Sequence, residues 1–210
     1  MQAVILAGGE SSRFYPYNNQ SKSLVKIAGE PIISHTVRAI KRAGITDIVL
    51  LTGPQNYFKE YLAFGKKFGV KITYASIPEA TGMGDGLLIC SKFIKSDFFL
   101  INPQHVEFDE LKKAIDEKRG TNKNAVLLAR KSSGKHFGVL KVEGDRVLSI
   151  VEKPESNRGL SNLRVIGVYF LNQEFIDILK KVKREHYSLE KALDAYARDG
   201  KVRFATINTE

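Results

Sequence analysis

The chain has 210 residues, 43% of them hydrophobic and 27% charged, which allows one large folded domain with a sizeable core. No apolar run approaches the roughly 20 residues that cross a bilayer, so no membrane partner is expected. The formal charge of +10 suits anionic ligands. However, the lysines fall on helical faces beside acids, without an arginine-rich tract or RNA-binding aromatic signature, so nucleic acid is not expected either. The single cysteine, Cys90, excludes an internal disulfide and suits a reducing cytoplasm. It falls among Leu87, Leu88 and Ile89 and reads as a small buried hydrophobe rather than a nucleophile.

In chain order, residues 2–7 read as a buried strand stopped by Gly8-Gly9, too short and too unflanked by basic residues to be a signal peptide. A polar stretch follows to about residue 30. Pro31 then opens a helix with Ile33, Thr36, Val37 and Ile40 on one face, closed by Gly44. Ile48–Leu51 is a second strand, Phe58, Tyr61 and Leu62 mark a helix, and Val70–Tyr74 is a third strand. A glycine-rich connection (Gly82, Gly84, Gly86) leads into a helix to about Ile94. Phe98–Ile101 is a strand, Leu111–Ile115 a helix and Ala125–Ala129 a strand. Phe137–Val142 and Val147–Val151 flank Gly144-Asp145 as a hairpin. Helices carry Phe175, Ile178, Leu179 and Val182, then Leu189, Ala192, Leu193 and Tyr196, with Ser188 as N-cap of the second. Lys201–Ile207 is a last strand.

The alternation predicts an α/β fold: a Rossmann-like three-layer sandwich with a mixed, mostly parallel central sheet and a small β-hairpin insertion. Residues 1–210 read as one domain. The last strand lacks a closing helix, which suggests truncation at the C-terminal end.

Ligands of open parallel sheets bind beyond the carboxyl ends of the strands. The segment there is Leu6-Ala7-Gly8-Gly9-Glu10-Ser11-Ser12-Arg13-Phe14-Tyr15-Pro16, followed by Lys22. The glycines let backbone approach a base or phosphate. Ser11 and Ser12 offer hydroxyls, Arg13 a planar fork for phosphate oxygens and Lys22 a point charge. Neither a Walker loop nor a dinucleotide fingerprint is present.

This string resembles the loop of the sugar-1-phosphate nucleotidyltransferases, Leu-Ala-Gly-Gly-x-Gly-Thr-Arg-x-x-Pro with a downstream Pro-Lys-Pro. Glucose-1-phosphate thymidylyltransferases and mannose-1-phosphate guanylyltransferases are members. Ser11 replaces a glycine, Ser12 a threonine, and Ser21 and Ser23 replace the prolines around Lys22. The resemblance continues through Ile77–Gly84 (base recognition, with Ile77 in place of the usual glutamine), Phe137-Gly138-Val139, Val151-Glu152-Lys153-Pro154, and Ser161-Asn162 before Gly167-Val168-Tyr169-Phe170. It implies transfer of a nucleotidyl group from a nucleoside triphosphate to a sugar 1-phosphate, with Mg²⁺ as cofactor. It implies Arg13 and Lys22 as catalytic residues, and Leu6, Ala7, Gly8, Gly9, Ser12, Glu79 and Gly82 at the nucleotide. Gly138, Glu152, Lys153 and Asn162 fall to the sugar phosphate, and Asp85 lies in the base-recognition segment.

One departure concerns the metal. Where the family has Gly-Asp after the fourth strand, this chain has Asn102-Pro103-Gln104-His105, so the metal-binding carboxylate is the amide of Gln104. His105 and Asp109 are candidates to compensate, whereas His35, His136 and His186 have no metal or triad spacing. An alternative is therefore a paralogue that binds nucleotide sugar as a regulatory subunit. A further alternative is cytidylyl transfer to a phosphorylated alcohol. The sequence leaves base, sugar and self-association into a homo-oligomer open.

Overall fold

The computed structural model describes residues 1–9, 21–79, 82–119, 124–131, 138–152 and 160–207. Its strands are β1 (Gln2–Leu6), β2 (Lys26–Ile27), β3 (Glu30–Pro31), β4 (Asp47–Thr52), β5 (Lys71–Ser76), β6 (Phe98–Ile101), β7 (Ala125–Lys131), β8 (Gly138–Glu143), β9 (Arg146–Glu152), β10 (Leu163–Leu171) and β11 (Val202–Thr206). The helices are α1 (Ile32–Arg42), α2 (Phe58–Leu62), α3 (Met83–Ser91), α4 (Phe108–Arg119), α5 (Gln173–Lys181) and α6 (Ser188–Arg198).

Nine strands form one sheet in the order β5-β4-β1-β6-β10-β7-β11-β9-β8, while β2 and β3 make a separate ribbon. The β5, β4, β1 and β6 strands pair in parallel, as do β7 and β11. Between them β10 runs antiparallel to both β6 and β7, and the β8–β9 hairpin adds a second antiparallel region. The hairpin is thus part of the main sheet rather than an insertion beside it. It curls back, because β8 also meets β10 through Arg164 opposite Val139.

Strand alternation divides the apolar side chains between the two faces of the sheet. Val4, Val49, Leu51 and Leu100 join one cluster with Leu87, Phe175, Leu179, Leu189 and Leu193 of α3, α5 and α6. Ala3, Ile5, Ile48, Leu50, Phe99 and Ile101 join the other with Ile33, Val37 and Ile40 of α1 and Phe108, Leu111 and Ile115 of α4. Cys90 is fully buried, and burial pushes its thiol up to about 12, as befits a packing residue. Among the described residues no helix is long and apolar enough to cross a membrane.

Two sequence expectations are corrected. The glycine run is not a connection, because Gly84 and Gly86 lie inside α3. A side chain at Gly84 would sit 2.2 Å from Ser188 Oγ, and one at Gly86 would sit 2.6 Å from Leu51 Cδ2, so these glycines let α3 lie against α6 and β4. Ser188 is not a cap: it is the first residue of α6, buried against α3, and its Oγ has no hydrogen-bond partner among the described residues. The capping side chain in this region is Asn172, whose Oδ1 accepts from Phe175 N–H at 3.0 Å at the start of α5.

Helix α1 also reaches the segment after β6. Thr36 Oγ1, fully buried, donates to the Pro103 carbonyl at 2.8 Å. Thr36→Val keeps the shape, removes that donor and leaves a buried carbonyl unmet. It should lower unfolding free energy by about 1–3 kcal/mol in urea denaturation. An unchanged midpoint would show that the contact is not holding the turn.

Candidate active site

The carboxyl ends of β1, β4, β6 and β7 open on one rim of the sheet, and of the sequence-predicted residues Gly138 and Glu152 share one cleft with Gln104. Ala7 N–H donates to Leu51 O at 2.9 Å, so the chain leaves β1 still paired to β4. Gly8 is obligatory for packing: a Cβ there would stand 2.7 Å from Ile77 Cγ2 and 3.2 Å from the Thr52 carbonyl carbon. Gly9 has nothing within 4 Å of a built Cβ and is exposed. Ile77, at the family's glutamine position, is only 4% exposed and buttresses Gly8 from below, so its side chain is spent on packing. Ser12, Arg13 and Lys153 lie outside the described residues.

Lys22 is exposed at the start of a 3₁₀ turn, Lys22–Leu24, whose Ser23 and Leu24 are buried. Ser21 Oγ accepts from Ser23 N–H at 3.3 Å. Gly82 adopts φ +133°, and a side chain there would lie 2.6 Å from the His186 carbonyl oxygen. Beside it, Glu79, Asp85 and Arg184 line an open cleft of about 350 Å³, with Arg184 Nε 3.9 Å from Asp85 Oδ1.

A second cleft, about 320 Å³, gathers Asn102, Gln104, Gly138, Glu152, Gly167 and Tyr169 with Arg130, Arg164 and Glu190. Gly138 and Glu152 are register partners across the hairpin. A side chain at Gly138 would come within 3.0 Å of Glu152 Oε2. Tyr169 is 6% exposed, and burial, with the nearby Glu190 and Glu152 charges, pushes its phenol far up. Asn162 is not part of this cleft: it is exposed, while its neighbour Ser161 ties the chain down through Oγ to Leu140 O at 2.6 Å.

At the metal position the backbone is fixed from several sides. Asn102 N–H donates to Gly167 O at 3.0 Å, and Thr36 holds Pro103. His105 Nε2 donates to Ile166 O at 2.7 Å, while Nδ1 faces Glu107 Oε1 at 3.3 Å. That His105 contact holds the Glu107 carboxyl below its ordinary range. Asp109 receives Arg42 on both oxygens, at 2.8 and 2.9 Å. Neither His105 nor Asp109 is therefore available to compensate for the missing carboxylate. Among the described residues no group of three His, Cys, Asp or Glu side chains assembles as a metal cage. The exposed amide of Gln104, flanked by arginines, does not fit a protein-held Mg²⁺, which takes carboxylates and waters in octahedral geometry.

Arg130, Arg164, Tyr169 and Glu190 were not among the sequence candidates. The signal for the arginines was present as a charged residue at the end of the Ala125–Ala129 run and another inside the Leu163–Phe170 run.

The nucleotidyl transferase family model matches residues 2–210, and the chain belongs to that family. It is 31% identical over 193 residues to a glucose-1-phosphate thymidylyltransferase of Neisseria meningitidis, covering 87% of this chain and 65% of that protein. It is 29% identical over 213 residues to the bifunctional protein GlmU of Methanococcus maripaludis, covering 99% and 50%. The chain thus spans about half to two thirds of the curated relatives it matches. A Bacillus anthracis structure, provisionally named a glucose-1-phosphate thymidylyltransferase and solved with a sucrose, superposes with a TM-score of 0.85 at 24% identity. It covers 99% of this chain and 87% of its own. That likeness establishes the shared fold.

Restoring the family pattern with Pro103→Gly and Gln104→Asp frees the backbone and supplies a charged ligand. Mg²⁺ affinity, read by calorimetry, should rise by roughly tenfold over wild type. No gain in the double variant would remove position 104 from the metal site.

Proposed function

We propose that the chain joins a nucleoside triphosphate to a sugar 1-phosphate, giving a nucleoside-diphosphate sugar and pyrophosphate. The observation carrying this reading is that Gly138 and Glu152 share one cleft with Asn102 and Gln104, just past the carboxyl end of β6, the strand that pairs in parallel with β1. In the proposed reaction, an oxygen of the sugar phosphate attacks the α-phosphorus in line and the α–β bridging oxygen leaves with pyrophosphate. The nucleophile is already ionised at neutral pH, so no side-chain base is needed. What the protein must supply is alignment of two repelling anions and neutralisation of charge in the transition state.

Arg13 is proposed to stabilise the leaving pyrophosphate and Lys22 the α-phosphate. Gly8, Gly9, Glu79 and Gly82 are proposed at the nucleotide, Glu152 at the sugar hydroxyls and Lys153 at the sugar phosphate. Mg²⁺ is proposed to enter with the triphosphate, since Gln104 offers no charge to hold it. A second reading is favoured by Gln104 and by the buried Ile77: a regulatory protein that retains the pocket without turnover.

Pyrophosphate release, measured with each of the four nucleoside triphosphates against sugar 1-phosphates and phosphorylated alcohols, separates the two. Release is expected with at least one pair, and Arg13→Ala should slow it by about 10² or more. Silence with every pair would favour the regulatory reading.

Glu152→Ala should weaken sugar phosphate or nucleotide-sugar binding by about tenfold while leaving triphosphate affinity within about twofold. Calorimetry with the ligands taken separately decides this. Equal loss for both would make Glu152 a structural residue.

A further inference from the structure

The most exposed large hydrophobic side chain among the described residues lies outside both clefts. Phe64 is 70% exposed on the connection between α2 and β5. A lone exposed phenyl is ordinary on a folded surface, but this one is held out by the backbone. Ala63 before it adopts φ +46° and ψ −126°, a conformation that favours glycine, and Gly65 after it adopts φ +87°. A side chain at Gly65 would lie 2.7 Å from the Val70 carbonyl oxygen. Ile72 N–H donates to Phe64 O at 3.1 Å and Val70 N–H to Gly65 O at 3.3 Å, which closes the connection into a compact loop. Tyr74 OH donates to Ala63 O at 2.5 Å, and its ring meets Phe64 edge-on at 6.3 Å between centroids. The strained alanine persists because bonds on both sides of it fix the turn, and the ring that the turn presents is left in solvent.

The charges around Phe64 are mostly of one sign. Lys66, Lys67 and Lys71 follow it on the same stretch, and all three are exposed. Lys59 of α2 lies over the Tyr74 ring at 5.5 Å, and Lys41 in the last turn of α1 stands beside Gly69, where a Cβ would be 3.4 Å from its Cε. None of these lysines forms an ion pair among the described residues. Of the acids on the adjoining elements, Glu60 is exposed on α2, Glu30 gives both oxygens to Arg38, and Asp47, the register partner of Lys71, accepts from Gln2.

Topology keeps this corner apart from the site. The β4 and β5 strands are parallel, so the chain must return from the carboxyl end of β4 to the amino end of β5, and the loop with Phe64 completes that return. The cleft with Glu152 and Gln104 opens past the carboxyl end of β6 instead. The loop also flanks β5, the strand at one end of the sheet order.

We infer that this corner docks on an anionic membrane surface, with Phe64 entering the headgroup layer and the lysines meeting lipid phosphates and carboxylates. Ammonium groups are point charges without the directional fork of a guanidinium, and here they are spread over α1, α2, the loop and β5. What matches them is diffuse negative charge with an apolar layer behind it for the protruding ring. A contact of this kind lies on the surface and needs no spanning helix.

The chain has no tryptophan, so F64W places a single fluorophore at the contact. On the full chain, its emission should shift to the blue and be quenched by brominated lipid in phosphatidylcholine vesicles containing about one-third phosphatidylserine, but not in phosphatidylcholine alone. In vesicle sedimentation, F64S should lower partitioning to the anionic vesicles by about tenfold, the loss of one buried phenyl. Reversing two charges with K66E and K67E together should lower it by about tenfold or more. These side chains are exposed, so the unfolding midpoints should match wild type. Failure of the wild-type chain to sediment with anionic vesicles overturns the inference. So does binding that F64S leaves unchanged, which would belong to the general field of a basic chain. Phe64-dependent binding to polyglutamate or to single-stranded DNA, without binding to vesicles, also overturns it and assigns the corner to an acidic protein or a nucleic acid. Nucleotidyl transfer is read separately, by pyrophosphate release, and stands or falls independently of these outcomes.

Discussion

The site is shaped by a single close approach, between Asn102 and Gly167. Gly167 sits at φ +79°, and a side chain there would lie 2.0 Å from Asn102 Nδ2. Only glycine takes both that backbone angle and that contact. The Asn102 amide side chain therefore nests against β10, while Asn102 N–H pairs with the Gly167 carbonyl. On the far side of β10 the register with β7 breaks here. From Val165 to Tyr169 the strand advances four residues while β7 advances only from Ala129 to Leu127. The bulge bends Leu163–Ile166 away from the regular ladder and over the rim. It also frees the Ile166 carbonyl, which His105 meets. The strand that closes the cleft, the turn that carries Gln104 and the aim of Arg164 all follow from that pairing.

The fold was largely legible where burial is uniform. The runs that became β1, β4 and β6 lie in the middle of the sheet, covered on both faces, so hydrophobicity alone marked them. The α1, α5 and α6 helices cover one face of the sheet each and carried a 3.6-residue stripe. What escaped had a physical reason. The β2–β3 ribbon has two residues per strand, and both residues of β2 are exposed, leaving no period to read. The strand β10 was seen only through a motif, because its bulge interrupts the alternation that a strand pattern needs. In Ser188 the sequence offered a good capping residue, but contact with Gly84 buried it inside the helix instead.

The site was legible in its backbone-shaping residues and less so in its charges. Gly8 and Gly82 each stand where a side chain would collide with a named neighbour, and such demands leave a mark in sequence. Glu152 was found through the motif around it. Arg130 and Arg164 were missed because each is one charged residue at the edge of an apolar run. Only the strand pairing, which joins positions 34 residues apart, sets them side by side. At Asn162 the motif pointed to a residue that faces solvent outside the cleft lining, while its neighbour Ser161 makes the anchoring bonds.

The amide at Gln104 belongs to the same turn. His105 gives Nε2 to the Ile166 carbonyl and faces Glu107 with Nδ1, while Asp109 takes Arg42 on both oxygens, so the imidazole and carboxylates that follow position 104 are already engaged. An aspartate at position 104 would bring a charged oxygen to this rim, where the glutamine brings a neutral amide. The turn keeps its shape through the Asn102–Gly167 and Thr36–Pro103 hydrogen bonds, neither of which depends on a carboxylate at position 104.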